Sequence, residues 1–115
     1  MEQDALKNLI TEIEEKEKAI FNFKQGEYTT RKDTLQNFKQ VATMEERSPA
    51  EVAFSYLLKH IQSIGLMVRK KDRRWFWEDE NGEGDKQRIV DARNYLLFVF
   101  ACIEEDERAN ELDRP

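Results

Sequence analysis

Ser48-Pro49-Ala50-Glu51 constrains this chain more than any other stretch of it. A hydroxyl, a Pro at the next position and a Glu three residues on are the parts of a capping box. The Ser48 hydroxyl accepts from the Glu51 amide, and the Glu51 carboxylate accepts from the Ser48 amide. Pro49 sits at the first helical position, where a backbone N–H would find no partner within the helix. A helix therefore starts here and carries Val52, Tyr56, Leu57, His60, Ile61, Ile64 and Val68 at helical spacing. Gly65 weakens its last turns by about 1 kcal/mol relative to Ala.

The rest of the chain offers material for more helices and little else. Its 115 residues make one domain, and 4 Gly with 2 Pro are too few for many short strands and turns. The first segment, about Asp4 to Phe23, reads as a long amphipathic helix. Leu6, Ile10, Ile13 and Ile20 share a face, Leu9 lies beside them, Glu17 interrupts them, and Lys24-Gln25-Gly26 supplies a stop. A second helix is expected from about Thr30 to Glu46, with Leu35, Phe38, Val41 and Ala42 on its apolar face and Asp33 helping to cap it. Residues 69–85 break the pattern. Arg69, Lys70, Lys71, Arg73 and Arg74 lead into Trp75, Phe76 and Trp77, and an acidic run follows, so the segment reads as a loop with room for a short hairpin. A last helix is expected from Lys86 to Glu107, with Asp85 as its N-cap and Ile89, Ala92, Leu96, Val99, Phe100 and Ile103 facing inward. The charged tail, 104–115, is expected to fray. The fold class is thus all-α, a small four-helix bundle, with dimerisation through the first helix as an alternative arrangement.

Composition excludes several functions. A net charge of −5 argues against a whole-surface nucleic-acid binder, and one Cys excludes an internal disulfide or a cysteine-cage zinc site. The longest apolar run, Tyr95 to Ile103, is far short of a membrane span. The acidic start, Met1-Glu2-Gln3-Asp4, is followed by no secretory signal, so a cytoplasmic location and no membrane partner are expected.

Few residues have the surroundings that chemistry needs. Cys102 lies in an apolar stretch with no His near it in sequence and reads as an inert buried thiol. His60 would need acidic partners from other helices to hold a metal. Glu12 with Glu15, and Glu14 with Glu17, put carboxylates on nearly one face, a pattern that any acidic helix also produces by chance. Asp91, three residues before Asn94, falls among apolar positions. A carboxylate there needs a partner: a Lys such as Lys24 or Lys59, an Arg, or a phosphate-bound metal. The basic and aromatic cluster offers Arg73, Arg74, Trp75 and Trp77 as anchors for a partner protein, or as a loop that covers the bundle end.

Lys24-x-x-Glu27-Tyr28, Asn37-Phe38, Lys59-His60 and Asp91-x-x-Asn94-Tyr95-Leu96 follow one another with gaps that resemble small phage and prophage proteins. Those proteins look like the nucleotide-modification-associated domain family, which is similar to the MazG-like all-α nucleoside triphosphate pyrophosphohydrolases. The resemblance spans about Phe23 to Glu105. It implies a helical bundle, often dimeric, with a Mg²⁺-assisted nucleotide site between helices. It assigns Glu27 and Asp91 to metal and catalysis, and Lys24, Lys59 and Asn94 to substrate. The enzymes carry paired acidic residues on two helices. Here the pair positions hold Lys24 and Arg88, which leaves Glu27 and Asp91 to share one Mg²⁺ with the phosphates. The first expectation is therefore a phage-type nucleotide-binding protein, with hydrolysis of a nucleoside triphosphate as its extension. The alternative is a non-enzymatic anti-defence protein that occludes a host protein or sequesters a nucleotide.

Overall fold

The capping box at Ser48 forms. The Ser48 hydroxyl accepts from the Glu51 amide and the Glu51 carboxylate accepts from the Ser48 amide, each at 3.2 Å. In this computed structural model the backbone is described for residues 1–28 and 33–113, and the side chains for 1–22 and 33–113. The helix that the box starts, α3, runs Pro49–Arg69. Before it come α1 (Gln3–Tyr28) and α2 (Gln36–Glu45); after it come a two-residue hairpin, β1 (Glu78–Asp79) and β2 (Gly82–Glu83), and α4 (Asp85–Leu112). The fold is all-α, a small helical bundle.

The frame is the α3–α4 pair. Arg88 reaches Ser63, the Tyr95 ring meets His60 and Tyr56, and Cys102 shares a core cluster with Val52 and Ala53. These pairings run in opposite chain directions, so the two helices are antiparallel. α2 closes one side through Phe38, whose ring lies within 5.1–6.4 Å of Tyr56, Tyr95 and Phe98. Lys39 binds Asp33 at 2.7 Å and Glu105 at 2.5 Å, tying the start of α2 to α4. Both partners respond to this. The hydrogen bond from Lys39 and that from the Leu35 amide lower the Asp33 pKa, and the two carboxylates raise that of Lys39. α1 lies alongside α4 in the same direction, with Glu17 at Arg93 (2.7 Å) and Phe21 stacked on Phe98 (5.7 Å).

Several sequence expectations are corrected. Gly26 does not end α1, which continues to Tyr28. Glu17 does not interrupt a buried stripe so much as anchor the helix, by pairing with Arg93, while Leu6, Leu9 and Ile10 stay exposed. The expected start of the second helix at Thr30 lies outside the described residues; Asp33 accepts from the Leu35 amide at 2.9 Å just ahead of α2. On α3, Ala53 and Met67 are buried, while Ile61 and Val68 are exposed. On α4 the inward face is turned: Val90, Asp91, Ala92, Asn94 and Cys102 are buried, whereas Leu96, Phe100 and Ile103 face solvent. The charged tail stays helical to Leu112.

The 69–85 segment is held by a latch rather than by a cap. Gly84, not Asp85, is the N-cap of α4. The Asp85 carboxylate accepts from the Arg74 amide and the Asp85 amide donates to the Arg74 carbonyl, both at 2.8 Å. Gly84 passes so close to Phe76 that a Cβ there would lie 2.1 Å from the Phe76 carbonyl oxygen. Only Gly allows that approach.

Candidate functional site

One cavity, about 260 Å³, opens between α3, the hairpin and α4. Lys59, His60 and Ser63 line it from α3, Glu83 from β2, and Arg88 and Asp91 from α4. The placement follows from helix periodicity. Residues 59, 60 and 63 fall on the flank of α3 that faces α4, and 88 and 91 stack one turn apart on α4. Asp91 is buried, at 4% exposure, and Arg88 donates from Nη1 to the Ser63 hydroxyl at 2.8 Å. His60 stacks on Tyr95 with ring centroids 4.8 Å apart, and the Lys59 ammonium lies 5.7 Å from the Tyr56 ring.

A second cavity of about 140 Å³ adjoins the first and shares Ser63 and Arg88 with it. Lys70 and Arg74 add positive charge there, set against Asp72 and Asp85. Arg88 thus sits at the junction, with cations on either side. Arg88 Nε also lies 3.9 Å from Asp85 Oδ1, and across the two cavities Lys59, Lys70, Arg74 and Arg88 face Asp72, Glu83, Asp85 and Asp91.

Of the residues singled out in sequence, Lys59 and Asp91 come together in the first cavity. Asn94 is buried one turn beyond Asp91. Its Nδ2 donates to the Glu17 carbonyl at 3.5 Å, and its Oδ1 is buried with no partner among the described residues. The side chains of Lys24 and Glu27, expected on substrate and metal, lie outside the described residues. Among the described residues no group of three His, Cys, Asp or Glu is placed to hold a metal ion. Glu83 and Asp91 are the carboxylates of the cavity, and two such groups do not make a resident Mg²⁺ cage. Glu12 accepts from the Trp77 indole at 3.2 Å, so it is used in packing α1 onto the loop.

The basic and aromatic cluster divides. Arg73 donates to the Met67 and Val68 carbonyls and finishes α3. Arg74 belongs to the latch, with its guanidinium 5.3 Å from the Phe76 ring. Trp77 is half-buried between Lys16 and Lys86. Trp75 alone of the two Trp rings is exposed, at 56%, over a groove shared with Val68 and Ile89. Cys102 is buried, and burial pushes its thiol up to about 11, which removes it as a nucleophile.

Sequence reading missed Ser63, Glu83 and the use of Arg88. The signal for Ser63 was available, since it follows His60 by three residues and shares its face. Arg88 stood out only as a cation where the resemblance expects an acid. Glu83 reaches the cavity through the hairpin, which no periodicity reveals. No helix of the described chain is long and apolar enough to cross a membrane. No protein-family model matches the chain, and no curated protein or solved structure is significantly similar to it.

Proposed function

We propose that the protein binds a nucleotide in the cavity between α3 and α4. The observation that supports this most is the meeting of Lys59, Arg88 and buried Asp91, from distant parts of the chain, in one cavity that continues toward Lys70 and Arg74. Lys59 and Arg88 contact phosphates, and the adjoining cavity adds Lys70 and Arg74 beside Asp72 and Asp85. Asp91 orients the site by balancing the cations that would otherwise repel one another, and it accepts from a ribose or base donor. The carboxylate set favours binding over hydrolysis, so no hydrolytic step is assigned to these residues. The phage-type origin that the resemblance implies agrees with a nucleotide-sequestering role.

The test is retention. The protein is mixed with a panel of nucleotides with and without Mg²⁺, and ultrafiltration separates bound from free. One nucleotide is expected to be retained and recovered intact. Lys59→Ala and Arg88→Ala should each weaken its binding by about tenfold or more, the loss expected for a charge-assisted contact. Conversion of a triphosphate to its monophosphate would replace binding by pyrophosphohydrolysis. Passage of every nucleotide unretained would overturn the reading. A second reading, binding of a host protein through Trp75, is favoured by the exposure of that ring alone.

A further inference from the structure

We propose that the groove between the end of α3, Trp75 and α4 docks an acidic peptide segment of a partner protein, seated by one large apolar side chain. The proposal gives a chemistry to the partner in the second reading above and rests on that reading. It is independent of nucleotide binding, because the groove and the two polar cavities share no cation.

The chain builds the groove from separate places. Met67 and Val68 end α3, Ile89 stands in the second turn of α4, and the loop brings Lys71, Arg73 and Trp75 to the rim. Its volume is about 450 Å³, larger than either polar cavity. The latch fixes its shape, because Asp85 holds the Arg74 amide and carbonyl, at 2.8 Å each, just before Trp75. Arg73 folds back onto the Met67 and Val68 carbonyls and closes the end of α3. The Lys86 ammonium lies 5.7 Å from the Trp75 ring and adds a cation beside it. Val68 and Trp75 remain more than half exposed, at 58% and 56%.

Charge is the first ground for the occupant. Among the described residues the groove is lined by Lys71 and Arg73 and by no carboxylate, whereas acids face the bases in both polar cavities. The carboxylates nearest along the chain are committed elsewhere. Asp72 lines the smaller polar cavity, Asp79 pairs with Arg74, and Asp85 holds the latch. Neither Lys71 nor Lys86 is ion-paired among the described residues. Residues 69–74 thus set five cations against Asp72 in a chain of net charge −5. A local excess of this kind draws an acidic partner to one place on an otherwise acidic protein.

Shape is the second ground. A free small molecule is held by burying about 70–90% of its surface, and a groove whose Trp ring stays half in water does not enclose one. A peptide running past the groove needs only to insert a side chain. The third ground is that one ring is available. Trp77 is half-buried between Lys16 and Lys86 and donates to Glu12, so Trp75 alone offers a stacking face. A nucleic-acid strand uses a succession of such faces along a basic track, and here the track runs into exposed Glu78, Asp79 and Glu80. An aromatic side chain of a peptide packs on Trp75 while the carboxylates around it meet Lys71 and Lys86.

Selection from a displayed library of random peptides on the immobilised full chain tests this. The retained peptides should be acidic, with an aromatic or long aliphatic residue among the carboxylates. A synthetic copy of one should bind with a dissociation constant of about 1–100 μM, as small interfaces do, and should weaken as salt is added. In a Trp77→Phe chain, which keeps Trp75 as its one Trp, the bound peptide should shift the fluorescence to the blue. Trp75→Ser and Lys71→Glu should each weaken binding by about tenfold or more with an unchanged circular dichroism spectrum, since both side chains are already in water. Lys71→Glu combined with Lys86→Glu should turn the selection toward basic peptides, a reversal that a merely structural role for these lysines does not produce. Nucleotide retention should be the same in all these variants. Retained peptides that are basic yet still require Trp75 keep the second reading and overturn the acidic partner. Peptides indifferent to Trp75→Ser, or no retained peptide at all, overturn both. Binding of oligothymidylate or of phosphatidylserine vesicles at Lys71 in place of peptides overturns the proposal in favour of a phosphate-bearing partner.

Discussion

The two sides of the α3–α4 pair invert the usual distribution of polarity. The side toward α1 and α2 buries Asp91 and Asn94 together with Val52, Ala53 and Cys102. The opposite side leaves Leu58, Ile61, Leu96 and Phe100 in solvent. By apolar content alone, α4 would be packed the other way round. The aromatic group of Phe38, Tyr56, Tyr95 and Phe98 decides otherwise, because those rings interlock on one side only, and they carry Asp91 and Asn94 inward with them. Buried polar groups in such a place require partners, and Asp91 shares its cavity with Lys59 and Arg88. An apolar stripe left outside marks a second surface. The inner side thus makes the fold and the candidate site, and the outer side keeps an apolar stripe in solvent.

Stability measurements separate the sides most sharply. Phe38→Ala should cost about 3–5 kcal/mol in urea denaturation, as removal of a buried ring does, whereas Phe100→Ala should change the dilute chain by no more than about 0.5 kcal/mol. Equal losses would mean that the outer stripe is packed within the monomer. Cys102 reports the same boundary by chemistry. With its thiol pushed up to about 11, from an ordinary 9.0, the thiolate fraction at pH 8 falls about 100-fold. A disulfide reagent should therefore label the protein only after unfolding, and rapid labelling of the native protein would place Cys102 outside the core.

Smaller effects belong to the connections. Asp85→Ala removes the acceptor that holds the Arg74 amide and should cost about 2 kcal/mol, with a change in Trp fluorescence as the loop shifts. A cost without the fluorescence change would assign Asp85 to the start of α4 alone. Ser48→Ala should cost about 1 kcal/mol, and Ser48→Asp should recover most of it. The Asp33–Lys39 pair is about a third exposed, so its worth is a few tenths of a kcal/mol after solvent screening. Its sign is set by the lowered Asp33 pKa. The stabilisation is present above the ordinary value of 3.8 and is lost as pH falls through the lower folded value. Asp33→Asn should flatten the acid limb of the stability curve, and an unchanged limb would assign that limb to other carboxylates.

Local signals were legible in the sequence because they rest on contacts a few residues apart. The capping box, the helical periodicities and the break at 69–85 with its short hairpin are of this kind, and the structure contains them all. Asp91 stood out because a carboxylate among apolar positions needs a partner, and Lys59 stood out as a candidate for that partner. Periodicity did not separate the faces of α3 and α4: it grouped buried Val52 and Leu57 with exposed Ile61 and Val68, and buried Ala92 with exposed Leu96, Phe100 and Ile103. What the chain buries depends on where α1 and α2 dock, through Glu17 with Arg93 and through Phe38, contacts between residues far apart in sequence. The same holds for Asp85, whose spacing suits a cap but whose carboxylate is taken by Arg74 across the loop. It holds as well for Ser63, Glu83 and Arg88, which become one cavity only when the helices and the hairpin meet. The sequence by itself determined the helices, because their hydrogen bonds and caps are local. Only the tertiary structure decided which faces they bury, because burial is a competition among whole surfaces.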